Sequence, residues 1–199
     1  MAYEYRRLTP QERETIIRQR IERRYPVHGP PHPYRHPGYY LITAATFEHK
    51  PIIADIERRT EFEIRLLSGL DNVQVDVFAW VVLPNHYHVL AGIDALEQLS
   101  TALKQLHGAT SREWNIVDEL TGKRRVWYQF SDRVIRNDPH FYSALNYIHY
   151  NPVKHGYVDS PYDWPWSSVH KYLEAHGQEW LRAIWQAHPP LDFGDENAP

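Results

Sequence analysis

Residues 39–47 (YYLITAATF) are aromatic and β-branched almost throughout, the make-up of a strand. Over residues 52–70 the apolar positions recur at helical spacing, with Ile53, Ile56, Phe62, Ile64, Leu66 and Leu67 available for burial. Residues 73–83 (VQVDVFAWVVL) alternate and then run continuously apolar, as a central strand does when both its faces are covered. Pro84 and Asn85 predict a turn, and residues 86–93 (HYHVLAGI) the returning strand. A second helix is predicted over 96–114, a short strand over 125–130 (RVWYQF), and a third helix from Asp138, with Pro139 in its first turn. That helix is expected to end near Asn151, because Pro152 disfavours helix in the residue before it. The order β-α-β-β-α-β predicts an α+β, ferredoxin-like antiparallel sheet with helices on one face, followed by a further helix.

The flanks differ from this centre. Thr9, Pro10 and Glu12 form a capping-box start for a helix over residues 10–24, which carries only a narrow apolar stripe of Ile16, Ile17 and Ile21. Residues 26–38 hold five prolines and two glycines and predict a linker or extended arm, whose His28, His32 and His36 read as polar linker residues. Residues 1–38 contain eight arginines against four glutamates, whereas from residue 172 onward one arginine, Arg182, faces five acids. The expected division is therefore 1–38 as a basic helix and arm, 39–173 as the central domain, and 174–199 as a C-terminal helix and acidic tail. The net charge of -3 hides this asymmetry, since 22 basic and 25 acidic residues sum over unlike parts.

Composition narrows the chemistry. The 199 residues include no cysteine, which removes disulfides, thiolate zinc, iron–sulfur clusters and a cysteine nucleophile from consideration. Neither a membrane span nor a secretory leader is legible, so a cytoplasmic protein is expected. The 13 histidines and 14 tyrosines stand out. His86 and His88, two apart on a predicted strand, project from one face and could chelate one ion, though such a pair is commonly just hydrogen-bonded or solvated. On the third helix Tyr147 and Asn151 lie one turn apart and can point into the same place. Taken alone, Tyr147 reads as one more core tyrosine and Asn151 as the end of the helix.

Taken together, VVLPNHYHVL, VWYQFSDRVIRND, YIHYNPVKHGYV, DWPWSS and HKYL closely resemble the REP-associated tyrosine transposases, bacterial members of the single-tyrosine HUH endonucleases. The resemblance covers residues 39–173, and His86-Tyr87-His88 fits the histidine–hydrophobic–histidine signature. It implies that Tyr147 is the nucleophile, ahead of Tyr150, and makes its helix the catalytic one. It also implies that His86, His88 and Asn151 hold a divalent metal, Mg²⁺ or Mn²⁺, with Asn151 preferred to His149 or His155. The activity implied is a metal-dependent single-stranded DNA endonuclease and strand transferase acting on REP-type hairpins through a 5′-phosphotyrosine. The alternative is a catalytically silent hairpin-binding protein.

The implied partner is single-stranded or hairpin DNA near the bacterial nucleoid, with no membrane and no nucleotide cofactor, and with a monomer favoured over a homodimer. Candidate DNA contacts are Lys154, His155, Lys123, Arg124, Arg125, Arg133 and Arg136, each of which could equally be a solvated surface group. Trp127, Tyr128, Trp164 and Trp166 could stack on unpaired bases, with core packing the preferred reading for Trp164 and Trp166.

Overall fold

The computed structural model describes residues 37–190 and, before them, Thr9, Gln11, Glu12, Glu14, Thr15 and Arg18. The rest of the expected N-terminal helix, most of the proline-rich arm and the tail from residue 191 lie outside the described residues. Contacts divide the chain into two compact units, Met1–Tyr34 with Gly194–Pro199, and Arg35–Phe193. In the first, Gln11, Glu12, Glu14, Thr15 and Arg18 are helical. The expected capping box is formed: the Thr9 N–H donates to Glu12 Oε2 at 2.7 Å, and the Glu12 N–H to Thr9 Oγ1 at 3.3 Å.

The second unit holds β1 (Gly38–Ala45), α1 (Ile56–Asp71), β2 (Asp76–Val82), β3 (His86–Ile93), α2 (Leu96–Val117), β4 (Ser131–Val134), α3 (Asp138–Lys154) and α4 (Val169–Ala187). The strands form one antiparallel sheet in the order β2-β3-β1-β4, the ferredoxin-like arrangement expected from the element order. Strand period two divides the side chains between two layers. Tyr40, Ile42, Trp80, Val82, Tyr87, Val89 and Ala91 pack against Phe62 and Leu66 of α1 and Leu99, Leu103 and Trp114 of α2. Leu41, Ala79, Val81 and Leu90 face the other way, against Ala144, Leu145, Tyr147 and Ile148 of α3. The central strand β3 is therefore covered on both sides, and His86 and His88 share the α3 face with Leu90.

Three sequence expectations are corrected. Helix α1 starts at Ile56, because Asp55 caps it by accepting from the Arg58 N–H at 2.8 Å; Ile53 is buried in the preceding loop, while Ile56 and Ile64 are 65% and 61% exposed. Residues 125–130 are not a strand: Val126, Trp127 and Tyr128 are all buried, which a half-covered strand cannot do, and only Trp127 bridges to Thr46. The fourth strand is instead the polar edge segment Ser131–Val134. Helix α3 runs through Pro152 to Lys154, because the carbonyls of Asn151, Pro152 and Val153 are taken by the N–H groups of His155, Tyr157 and Gly156. Gly156, at φ 68°, makes the left-handed turn that this ending requires.

Two buried histidines give stability a pH dependence. His107 stacks on Trp127 at 4.4 Å and is pushed down to about 4 by burial. His149 is buried with Nε2 2.9 Å from Ser168 Oγ, and burial, helped by His170, pushes it down to about 3. Both stay neutral in the fold while an unfolded histidine protonates near pH 6.5, so the stability they confer is complete above that pH and lost as pH falls toward 4. Below pH 6.5 each should contribute a slope of up to about 1.4 kcal/mol per pH unit. Urea unfolding between pH 7.5 and 4.5 checks this. His107→Leu, which deprives Tyr87 Oη of a partner at 3.0 Å, should be less stable throughout yet show a shallower slope.

Candidate active site

Helix α3 begins where Asn137 accepts from the His140 N–H at 3.0 Å and Pro139 occupies the first turn. It is fastened on two sides. The Asn146 amide donates to the carbonyls of Ile184 and His188, at 3.0 and 2.6 Å. The Ser168 hydroxyl, bonded to His149, also accepts from the Trp80 N–H at 3.0 Å and donates to its carbonyl at 3.2 Å. Trp164 donates its indole N–H to the Val82 carbonyl at 3.0 Å. These contacts fix the rotation of α3 over the sheet, and that rotation turns Tyr147 and Asn151 inward.

The result is one buried cluster. The ring of Tyr147 lies edge-on to His88, centroids 5.1 Å apart, and His88 lies 5.0 Å from His86. Asn151 Oδ1 is 3.2 Å from His86 Nε2. Each histidine has its Nδ1 against a neighbouring oxygen: Asn85 Oδ1 for His86 and Thr43 Oγ1 for His88, both at 2.7 Å. That is the arrangement by which outer partners orient imidazoles that ligate through Nε2. Two imidazoles and an amide oxygen make a nitrogen–oxygen donor set suited to a divalent cation, so the residues present fit one. Among the described residues, no group of three His, Cys, Asp or Glu could hold a metal, so a metal here depends on the amide of Asn151.

Of the alternatives open in the sequence, Tyr150 is 45% exposed whereas Tyr147 is 2% exposed within the cluster. His149 is turned toward Ser168 and Tyr172. His155, expected among DNA contacts, instead packs 4.9 Å from the His86 ring. Burial, then the neighbouring His88 and Lys154, push it down to about 4, so it adds no charge at neutral pH. Lys154 is exposed, with its ammonium 5.1 Å from the Tyr147 ring centroid.

The other basic candidates divide. Arg124 is committed internally, donating to Asn115 Oδ1 and Asp118 Oδ2 at 2.8 Å each, and Asp118, bonded foremost to Arg58, is held below the usual carboxylate range. Lys123 and Arg125 are exposed, the latter lying over the rings of Phe47 and Tyr128. Arg133 is exposed and sits in register with Leu41, on the α3 side of the sheet. Arg136 is exposed at the entry to α3. Trp127, Tyr128 and Trp164 are buried; the Arg59 guanidinium lies over the rings of both Trp164 and Trp166, at 4.8 and 4.2 Å.

A protein of Haemophilus influenzae assigned as a REP-associated tyrosine transposase is 29% identical over 140 residues, covering 66% of this chain and 78% of its own. The REP-associated tyrosine transposase of Escherichia coli K12 is 31% identical over 101 residues, covering 48% of this chain and 55% of its own. The chain is similar to REP-associated tyrosine transposases. A solved REP-associated tyrosine transposase, bound to a REP hairpin, superposes with a TM-score of 0.60 over 86% of this chain and 96% of its own; at 20% identity it supports the shared fold. No protein-family model matches the chain. Among the described residues no helix is long and apolar enough to cross a membrane.

The outer residues Asn85 and Thr43 are the ones that sequence reasoning missed. Asn85 had a visible signal, as a side chain able to bond locally directly before the histidine pair. Thr43 had none, because it meets His88 through the pairing of β1 with β3.

Proposed function

We propose that this protein is a metal-dependent, single-strand-specific DNA endonuclease and strand transferase that acts on REP-type hairpins through Tyr147. The observation that carries the reading is the contact of Tyr147 with His88 in the cluster that also holds His86 and Asn151. In the reaction the Tyr147 oxygen attacks the scissile phosphorus, forming a 5′-phosphotyrosine, while the 3′ oxygen leaves and takes up a proton as a 3′-OH. One phosphoester replaces another, so a later attack by a 3′-OH rejoins strands and regenerates the tyrosine without ATP. Phe141, Ala144, Leu145 and Ile148 hold the helix against the sheet, which keeps the attacking oxygen in a fixed place.

His86, His88 and Asn151 would hold Mg²⁺ or Mn²⁺, whose chemistry when bound is to offset charge on the non-bridging oxygens of the phosphate. Lys154, Lys123, Arg125, Arg133 and Arg136 remain the candidate phosphate contacts. The catalytic unit is residues 39–173, flanked by the basic helix and arm (1–38) and by the C-terminal helix and acidic tail (174–199), working as a monomer at the bacterial nucleoid.

The test is to incubate the protein with end-labelled single-stranded hairpin DNA and Mn²⁺, Mg²⁺ or EDTA, then resolve the products under denaturing conditions. A metal-dependent protein–DNA adduct supports the reading. Retained binding without cleavage would make the chain a silent hairpin-binding protein, and cleavage without an adduct would make it a hydrolase.

A further inference from the structure

After β1 the chain makes a single 3₁₀ turn, Phe47–His49, in which Glu48 and His49 take φ of 58° and 52°. Two successive side-chain-bearing residues in the left-handed region are uncommon and persist where surrounding structure holds them. Here the turn brings the His49 carbonyl to the Asn85 side chain, whose Nδ2 donates to it at 3.2 Å. The Asn85 backbone is held as well: its carbonyl accepts from the Thr46 N–H at 2.8 Å, and the adjacent Pro84 carbonyl from the Ile53 N–H at 2.9 Å.

With its nitrogen spent on His49, the Asn85 amide must present oxygen to His86 Nδ1, 2.7 Å away. An amide oxygen only accepts, so His86 carries a proton on Nδ1. A neutral His86 then directs its Nε2 lone pair at Asn151 Oδ1, an approach that calls for a hydrogen or a cation between the two. Thr43 imposes no such choice on His88, because a hydroxyl both donates and accepts.

We propose that Asn85 is a positioning residue of this site, held by the left-handed turn at Glu48–His49, which sets the tautomer and ring orientation of His86 so that Nε2 is offered to a divalent cation. This rests on the metal reading given under the proposed function, and the test separates the two. In ¹⁵N-histidine-labelled, metal-free protein at pH 7.5, NMR should show the wild-type His86 ring protonated on Nδ1, with the signal assigned by its loss in His86→Gln. Asn85→Ala, with its fold checked by circular dichroism, should move that proton toward Nε2. It should also raise the dissociation constant for Mn²⁺ alone, followed by electron paramagnetic resonance, by about 10- to 100-fold.

A wild-type His86 protonated on Nε2 would overturn the proposal. So would an Asn85→Ala protein that keeps the wild-type tautomer and binds Mn²⁺ as the wild type does. Should the wild type bind no Mn²⁺, the metal reading falls, and the tautomer in wild type and Asn85→Ala alone decides the role of Asn85.

Discussion

Tyr147→Phe should abolish the covalent protein–DNA adduct, lowering its rate of formation by at least about 1,000-fold, because the oxygen that would bond to phosphorus is gone. The same substitution keeps the aromatic ring that packs on His88 and beneath Lys154, so stability should fall by no more than about 1 kcal/mol. Hairpin affinity should change little, since one hydroxyl is a small part of a phosphate-dominated interface. Tyr150→Phe is the internal control: its ring is turned outward, and the adduct should form at the wild-type rate. Quantifying adduct on a denaturing gel, beside a gel-shift titration of the same hairpin, separates chemistry from binding. An adduct persisting in Tyr147→Phe but lost in Tyr150→Phe would move the nucleophile to the exposed face of α3 and undo the proposed function.

The way this site became legible follows from how its parts are spaced. The turn at Pro84-Asn85 and the returning run 86–93 place β3 to the residue, and strand period two then puts His86 and His88 on one face. Helical period four did the same for Tyr147 and Asn151. What local pattern could not reveal is which faces meet. That depends on the pairing of β1 with β3, which brings Thr43 to His88, and on the distant anchor of Ser168 to β2, which turns His149 away from the cluster.

Segment 125–130 departs from its expected strand for a related reason. Its β-branched and aromatic residues resemble a strand, yet only the Tyr128 N–H bonds to β1, at the Ala45 carbonyl; the Val126 carbonyl accepts from Phe47 in the turn beyond it, and the side chains of Val126 and Trp127 are buried in the core. The true edge strand, Ser131–Val134, is polar and only partly covered, so its composition carries no strand signal. The left-handed residues Glu48 and His49 are equally silent in sequence, being neither glycine nor asparagine.

Trp127→Ala should cost about 3–5 kcal/mol of folding stability, the range for deleting a large aromatic from a packed core. Its ring touches four others: Phe62 at 5.2 Å, His107 stacked at 4.4 Å, Trp114 at 5.7 Å and Tyr87 at 5.9 Å. Its indole N–H donates to Thr110 Oγ1 at 3.0 Å, so truncation also leaves a buried hydroxyl short of a donor. A base stacking on this ring would have to displace His107 or Phe62, both of which bury their own surface against it. The loss should therefore appear in the urea midpoint, while hairpin affinity per folded molecule stays within about twofold at low temperature, where the variant remains folded. Lys123→Ala should do the reverse, leaving the midpoint unmoved because the side chain is exposed, and weakening binding with a shallower dependence on salt if it meets a phosphate. A Trp127→Ala protein as stable as wild type but several-fold weaker on single-stranded DNA would show that the ring leaves the core to stack on a base, against the packing described above.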